Sequence, residues 1–227
     1  MQVLHKENLH LGGFAGLKEH RLVVDTLVGG QSDTWDGIGN FVYLADAYFN
    51  PHGETRMHPH RELDVISVMI DGVIEHEGSL EHGSSIKAGQ VQVQRAGAEG
   101  FAHNEINPDD TKNRMIQLWV LPENKGEPAG YKLYDVEQNK LTKIYGGSKD
   151  QNKTFDSHTV LETGRFSEDE RFNKSGDFLA YMTEGEAVVN GTQIKDGDLL
   201  RGTDFDFQVT SEHAQVILIT QNLKDTK

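Results

Sequence analysis

The sequence predicts an all-β protein built from two similar units in one chain. Three observations support this fold class: the apolar runs are short and rich in β-branched residues, helical periodicity is weak, and one pattern of turns and strands occurs twice. Glycine is abundant, with 24 of the 227 residues, whereas proline occurs 5 times. Short strands separated by frequent turns are typical of β-sandwiches and barrels.

The predicted strands follow one another closely along the chain. The run VISVMI at residues 65–70 is followed by Asp71-Gly72 and then by the run VIEHEG. An Asp-Gly pair between two such runs predicts a hairpin, because both turn residues need positive φ. Further strands are predicted at residues 40–49, 90–96, 114–121, 177–183, 186–191 and 215–220.

The repeated pattern is a two-residue turn, an outgoing strand and an I-K-x-G turn that opens the next strand. Such a repeat predicts a duplicated domain. The polar segment between Leu121 and Thr154 is the expected boundary, so we predict one unit over residues 1–134 and another over residues 135–227. The two copies of the pattern are Asp71-Gly72 with Ile86-Lys87-Ala88-Gly89, and Glu184-Gly185 with Ile194-Lys195-Asp196-Gly197.

Composition excludes several classes of function. The formal net charge of −14 argues against non-specific nucleic-acid binding, which depends on basic residues. Cysteine is absent, so disulfides, thiolate zinc sites and cysteine nucleophiles are excluded. No apolar run approaches the roughly 18 residues of a membrane helix, and the N-terminus lacks the apolar region of a signal peptide. We expect a cytoplasmic protein that does not bind membranes.

Two pairs of candidate metal ligands occur in the first half of the chain. His58 and His60 are two residues apart, and so are His103 and Glu105. Side chains at i and i+2 of a strand point to the same face, so two neighbouring strands can bring four donors to one ion. Imidazole nitrogen and carboxylate oxygen suit iron(II), manganese, nickel, cobalt, copper or zinc. The donors themselves do not choose among these metals.

Other interpretations of these residues stay open at this point. An H-x-H pair alone is often a surface feature, but here it directly precedes a predicted hairpin. On an unbroken strand Asp64 would share the face of His58 and His60 and could bond to a ligand there; a solvated acid is the alternative. The aromatic residues Phe41, Tyr43, Phe101 and Trp119 are expected in the core rather than against a substrate.

These motifs resemble a known family. Gly53, His58-x-His60, Asp64 and Gly72 resemble the first cupin motif, and the segment from Gly89 to His103-x-Glu105 resembles the second. More narrowly, HPHRELDVISVMIDGVIEHEGS and AGQVQVQRAGAEGFAHNEIN resemble pirin, a two-cupin family, most strongly over residues 39–134. The resemblance implies two tandem cupin (double-stranded β-helix) barrels packed together in one chain. It departs from the family at Asp64, where pirins usually carry glutamate, and at His76–Ser79, which we interpret as structural.

The second unit is predicted to be metal-free. Alignment of the two turn motifs places Arg171 and Asn173 at the positions of the first histidine pair. It places Ser211 and His213 at the positions of His103 and Glu105. One imidazole does not hold a metal, so this unit is expected to have a structural role.

The resemblance implies a function for the first unit. Bacterial pirin-like proteins are similar to quercetin 2,3-dioxygenases, in which a flavonol reacts with dioxygen and its heterocycle opens with loss of carbon monoxide. We therefore predict an oxidoreductase that binds one divalent transition metal, iron(II) first among the candidates, and takes a small aromatic or enolisable oxygen compound with O2. Glu105 is the predicted ligand and base, with Asp64 the second candidate base.

The alternative is a protein of another class. Pirins also resemble regulatory modules that act through a protein partner without catalysis, although no cluster of five basic residues suggests a nuclear signal here. A cupin isomerase or epimerase fits less well, because it would not need four converging metal donors. Since two units provide an internal interface, a monomer is expected.

Overall fold

The computed structural model describes residues 1–222 and consists almost entirely of antiparallel β-strands, as the sequence predicts. Two single-turn 3-10 helices, Lys6–Asn8 and Thr26–Val28, accompany them. Among the described residues, no helix is both long and apolar enough to cross a membrane. In chain order the strands are β1 (Gln2–His5), β2 (Leu11–Phe14), β3 (Leu17–Val24), β4 (Phe41–Phe49), β5 (His58–His60), β6 (Asp64–Asp71), β7 (Val73–Gly78), β8 (Ser84–Lys87), β9 (Gln90–Arg95), β10 (Phe101–Ile106), β11 (Arg114–Val120), β12 (Gly130–Asp135), β13 (Thr142–Gly147), β14 (Ser157–Ser167), β15 (Arg171–Glu184), β16 (Glu186–Val189), β17 (Thr192–Lys195), β18 (Asp198–Val209) and β19 (His213–Gln221).

The strands form two compact units. One unit spans Leu9–Asp135 and is called here the first unit; the other, the second unit, combines Met1–Asn8 with the chain from Val136 onward. The boundary near residue 135 lies within the polar segment between Leu121 and Thr154. The observed first unit begins at Leu9 rather than at residue 1, because β1 pairs with β18 of the second unit. In this pairing Gln2 lies opposite Arg201 and His5 lies opposite Asp198.

The first unit contains two sheets. A seven-stranded sheet has the order β12-β9-β6-β11-β4-β3-β2, and a four-stranded sheet has the order β5-β10-β7-β8. Neither sheet closes into a complete barrel in the described part of the chain. Apolar side chains from both sheets meet in one buried cluster, which packs one sheet against the other. This cluster consists of Leu17, Ala47, Phe49, Met69, Ile74, Ile86 and Met115.

The turn at Asp71-Gly72 is not the predicted hairpin. β6 pairs with β9 and β11, whereas β7 pairs with β8 and β10 in the other sheet. Gly72, at φ +73°, therefore turns the chain from one sheet into the other. The corner is fixed by Ala88 N–H donating to the Gly72 carbonyl at 2.9 Å and by Gly89 N–H donating to the Met69 carbonyl at 3.1 Å.

The second copy of the repeat makes the same corner. Asp196 N–H donates to the Gly185 carbonyl at 2.9 Å, and Gly197 N–H donates to the Met182 carbonyl at 2.9 Å. The repeat noticed in the sequence is therefore a repeated local structure. A two-residue hairpin does occur one turn later, at Asn190-Gly191 between β16 and β17, where both residues have positive φ.

The second unit consists of one strongly bent sheet. Its order is β13-β14-β19-β15-β18-β16-β17, with β1 beside β18. The pairing of the long strands β15 and β18 shifts register between Lys174 and Asp177, which bends the sheet around its core. Aliphatic side chains form most of that core, together with the aromatic side chains of Phe166, Phe178, Phe205 and Phe207.

Candidate metal centre

The two predicted histidine-bearing segments are neighbours in the small sheet. β5 pairs antiparallel with β10, so that His58 lies opposite His103 and His60 lies opposite Phe101. The i, i+2 spacing therefore places the side chains of His58, His60 and His103 on the same face of two adjacent strands. Of the described His, Cys, Asp and Glu side chains, these three form a group whose donor atoms all lie within 4.8 Å of one another.

The three imidazoles converge through the same ring nitrogen. Nε2 of His103 lies 3.1 Å from Nε2 of His58 and 3.2 Å from Nε2 of His60. Two nitrogens bound at about 2.1 Å to one ion, about 95° apart, lie about 3.1 Å from each other. The spacing of the nitrogens is thus that of ligands on one face of a divalent metal, and the donor set fits such an ion.

The protonation states also favour metal binding. Burial, reinforced by the neighbouring imidazoles, lowers the pKa of His60 to about 4 and that of His103 to about 2. Both rings are therefore neutral at pH 7. His58 Nδ1 lies 2.8 Å from the Arg56 carbonyl; a neutral ring donates its proton there and leaves the Nε2 lone pair for the ion.

Glu105 lies on β10 beside this group but is not a member of it. The residue is 2 % exposed, and its Oε1 accepts a hydrogen bond from Ser67 Oγ at 2.9 Å. Burial raises its pKa to about 7, although the bond from Ser67 opposes the shift. Thr55 fixes the backbone of Glu105 through its own N–H and its hydroxyl. The carboxyl thus lines the same cavity as the histidines, and its role as a fourth ligand stays a prediction.

Asp64 lies elsewhere, and both expectations for it are wrong. The assumed unbroken strand ends at His60, Glu62 has φ +51°, and Asp64 begins β6 in the other sheet. Its side chain is fully buried rather than solvated. One carboxylate oxygen accepts from Ala96 N–H at 3.3 Å and the other lies 3.9 Å from Nε of Arg95. Asp64 therefore joins β6 to the end of β9 and is not one of the residues lining the cavity.

The interpretation of His76 as structural agrees with its surroundings. The ring is fully buried, with Nδ1 3.2 Å from the Glu81 carbonyl and Nε2 3.0 Å from Nε2 of Gln94. Burial lowers the pKa of His76, so that the ring is neutral. It packs 5.3 Å from the ring of His103, centre to centre, and supports that ligand from behind.

A cavity of about 330 Å³ opens in front of the histidines. All its lining residues belong to the first unit. Tyr43 is a buried core residue as expected, and Trp119 packs against its cluster. Both also form part of the cavity wall, and their rings stack with centres 4.1 Å apart. Phe41 is a core residue as expected, and Phe101 packs beside His60.

Sequence reasoning missed the polar residues of the cavity wall. Glu19 and Arg21 on β3, and Gln117 on β11, line it together with the histidines. No motif marks them, because they come from strands that are distant in sequence. They face the cavity since β3, β4 and β11 are neighbours in the large sheet.

The structure corrects the alignment of the second unit. β7 pairs with β10 so that His76 lies opposite Glu105, whereas β16 pairs with β18 so that Val189 lies opposite Phe207, which makes Phe207 rather than His213 the counterpart of Glu105. Arg171 and Asn173 are exposed on β15, and His213 is exposed at the start of β19. Ser211 serves the corner at Gly185: its hydroxyl accepts from Glu186 N–H at 2.8 Å and donates to the His213 carbonyl at 2.6 Å. This position thus stabilises a turn in the second unit.

The fold and the site together define a class: a protein of two tandem cupin units in which the first unit carries a three-histidine divalent-metal site. Within that class the resemblance is to pirin, and it is confirmed, since residues 31–120 match the family model described as Pirin. The chain is 25 % identical over 164 residues to quercetin 2,3-dioxygenase of Escherichia coli K12, covering 69 % of this chain and 70 % of the relative.

Solved structures share the same fold. The bacterial pirin YhhW of Escherichia coli in complex with nickel(II) superimposes with a TM-score of 0.81 at 17 % identity, covering 98 % of this chain and 99 % of that one. A quercetin 2,3-dioxygenase of Acinetobacter baumannii gives a TM-score of 0.73 at 21 % identity, covering 99 % and 87 %. The predicted cupin-type fold class is thereby confirmed.

Proposed function

We propose that this protein is a metal-dependent dioxygenase that opens the heterocycle of a flavonol such as quercetin with O2. The observation that carries the proposal is the convergence of three imidazole nitrogens on one point at the wall of a cavity that Tyr43 and Trp119 also line. The names of the relatives support the same reaction class.

His58, His60 and His103 would hold the metal, and Glu105 would be its fourth ligand. Iron(II) is the first candidate, and manganese, nickel, cobalt, copper and zinc are the others; the nickel in the YhhW structure supports a divalent ion. Such an ion acts as a Lewis acid, lowers the pKa of a bound hydroxyl and holds an electron-rich substrate beside dioxygen.

Glu105 would take the proton of that hydroxyl. It is the carboxyl that lines the cavity on the strand of His103, and its hydrogen bond from Ser67 holds it in one orientation. A carboxylate in such a site can accept a proton from the substrate's enolic hydroxyl. Asp64 is not proposed as a second base, because its oxygens bond to Ala96 and face Arg95.

The cavity wall would orient the substrate. The cavity volume of about 330 Å³ lies at the lower end of the range for small-molecule pockets. The ring centre of Trp119 lies 6.2 Å from that of His60 and 4.1 Å from that of Tyr43. A planar aromatic ligand can pack against this pair, which excludes water from the reacting end.

The proposed reaction has a fixed stoichiometry of flavonol, dioxygen and carbon monoxide, which can be measured. Each flavonol consumes one dioxygen and releases one carbon monoxide, so loss of flavonol absorbance and release of carbon monoxide should match. We expect this for protein loaded with at least one of iron(II), manganese, nickel and copper, with no turnover in metal-free protein.

The experiment separates the proposal from its alternative. Stoichiometric metal without turnover for any ion would refute the dioxygenase and favour a non-catalytic module with a protein partner. Absorbance loss without carbon monoxide would also refute it, since that outcome indicates autoxidation.

A further inference from the structure

We infer that Glu19, Arg21 and Tyr43 form a subsite that recognises a phenolic hydroxyl on the substrate, at the part of the cavity remote from Glu105. This inference rests on the proposed function, because it names which aromatic oxygen compounds the cavity would select. Its three residues lie on β3 and β4 and share the cavity with the histidines.

The three side chains form a connected polar group. Tyr43 Oη donates to Glu19 Oε2 at 3.0 Å, and Arg21 donates to Glu19 Oε1 through Nε at 2.8 Å and through a terminal nitrogen at 2.7 Å. Glu19 and Tyr43 are buried, at 3 % and 5 % exposure, whereas the Arg21 side chain is 43 % exposed. Burial and the neighbouring carboxylate raise the pKa of Tyr43, so that its hydroxyl stays protonated.

The sheet register fixes how far this group lies from Glu105. Arg21 pairs with Ala45, Ala45 with Gln117 and Gln117 with Ser67, which bonds to Glu105. Strands in a sheet are about 4.8 Å apart, so Arg21 stands about 14 Å from Ser67 across three strand spacings. A ligand of two or three fused or linked rings can therefore reach both ends at once.

The chemistry of the group points to a neutral hydroxyl. A guanidinium carries five N–H donors; two of its nitrogens bond Glu19 here, so further donors remain at a partly exposed side chain. Glu19 supplies an acceptor beside them. A phenolic hydroxyl both donates and accepts, so it matches this pair. Because the charge of Arg21 is already balanced by Glu19, a carboxylate would meet a buried like charge and would be disfavoured.

A purely structural ion pair is the competing explanation. An ordinary ion pair on the outer face of a strand would affect all ligands equally or none. Polar groups that line a ligand cavity instead discriminate between ligands, because a ligand that lacks the matching group leaves them without a partner. The test must therefore compare two ligands rather than measure one affinity.

The test measures binding without turnover. Metal-loaded protein is titrated under nitrogen with quercetin and with 3-hydroxyflavone, which shares the chelating hydroxyl but lacks the other phenolic groups; quenching of tryptophan fluorescence gives Kd. The variants are Arg21→Gln and Tyr43→Phe. Arg171→Gln, at an exposed arginine of the second unit, is the control. Circular dichroism melts verify that each variant folds.

We expect each cavity variant to weaken quercetin binding about tenfold and to change 3-hydroxyflavone binding less than about twofold, with no change in the control. Equal effects on both ligands, or no effect on either, would overturn the subsite. Failure of the proposed function is a separate result. If no metal supports aerobic turnover, the proposed function fails, and the comparison of the two ligands without oxygen still tests the subsite. If the variants change the binding of both ligands equally while the wild-type protein turns over quercetin, the subsite fails and the proposed function stands.

Discussion

The histidines show how far single residues can be interpreted from spacing alone. The alternation of side chains along a strand is enough to place His58 and His60 on one face. The pairing of β5 with β10 then brings Nε2 of His103 to 3.1 Å from Nε2 of His58 and 3.2 Å from Nε2 of His60. At this scale the site depends on nitrogen positions, so its predictions concern single substitutions.

His103→Ala should abolish stoichiometric metal binding. Two imidazoles remain, and loss of one ligand from a compact site should weaken affinity at least as much as loss of a supporting residue, by about 100-fold or more. Metal content after dialysis and the metal-dependent rise in melting temperature measure the effect. His10→Ala, at an exposed histidine of the same unit, is the control. Unchanged metal content in His103→Ala would refute the site.

Glu105→Gln separates the two roles assigned to this residue. The amide oxygen can still accept the hydrogen bond from Ser67, but it cannot accept a proton from the substrate. We expect metal content to be retained and flavonol turnover to fall about 100-fold or more. Loss of the metal instead would assign Glu105 a ligand role that the histidines cannot replace. If the variant turns over flavonol at the wild-type rate, Glu105 is not the base.

Some residue roles were out of reach of the sequence. Asp64 could be placed beside the histidines only if residues 58–64 formed one strand, and no pattern shows that the chain turns at Glu62. Tyr43 and Trp119 were expected in the core since aromatic side chains are usually buried. Their place in the cavity wall follows from the pairing of β4 with β11, which long-range hydrogen bonds decide.

At the scale of elements, the same corner occurs twice in the fold, at Gly72 and at Gly185. Asp71-Gly72 has the composition of a hairpin turn, but its strands pair with other partners because the I-K-x-G turn bonds back to it. Local sequence predicts that the chain turns at a glycine with positive φ. It does not predict which strand the outgoing segment then pairs with, since this depends on contacts made elsewhere.

Gly185→Ala should destabilise the second unit far more than Gly191→Ala. The two glycines have almost equal φ, +74° and +77°, so backbone strain is matched. A Cβ at Gly185 would lie 2.0 Å from the His213 carbonyl, whereas one at Gly191 meets nothing within 4 Å. We expect about 3 kcal/mol or more for the first and about 1 kcal/mol for the second. Urea unfolding followed by circular dichroism measures both, and equal losses would contradict the close approach at the corner.

On the scale of the whole molecule, duplication is visible but the two copies have diverged in use. The first unit carries the histidines and the cavity, whereas the second unit has a core in the corresponding place and uses Ser211 to hold a corner. The sequence repeat reveals the duplication because the corner glycines Gly72, Gly89, Gly185 and Gly197 all have positive φ, which favours glycine in both copies. The sequence does not predict that β1 belongs to the second unit, since a four-residue strand has no characteristic motif.

Removal of residues 1–8 should destabilise the second unit and leave the metal site intact. The deletion takes away β1, whose Val3 packs on the core of that unit, but no cavity residue. We expect a melting temperature lower by about 5 °C or more and unchanged metal content. Glu7→Gln, which breaks only an exposed ion pair with Lys195, is the control and should be neutral. A loss of metal in the deletion variant would contradict the independence of the site.

The pairing of β1 with β18 also orders events on the ribosome. His5 and Asp198 are separated by 193 positions, so β1 is synthesised long before its partner strand β18. Meanwhile Leu9–Asp135 is complete. The unit that carries the histidines can therefore fold during synthesis, whereas β1 stays an unpaired edge strand until β18 has been made.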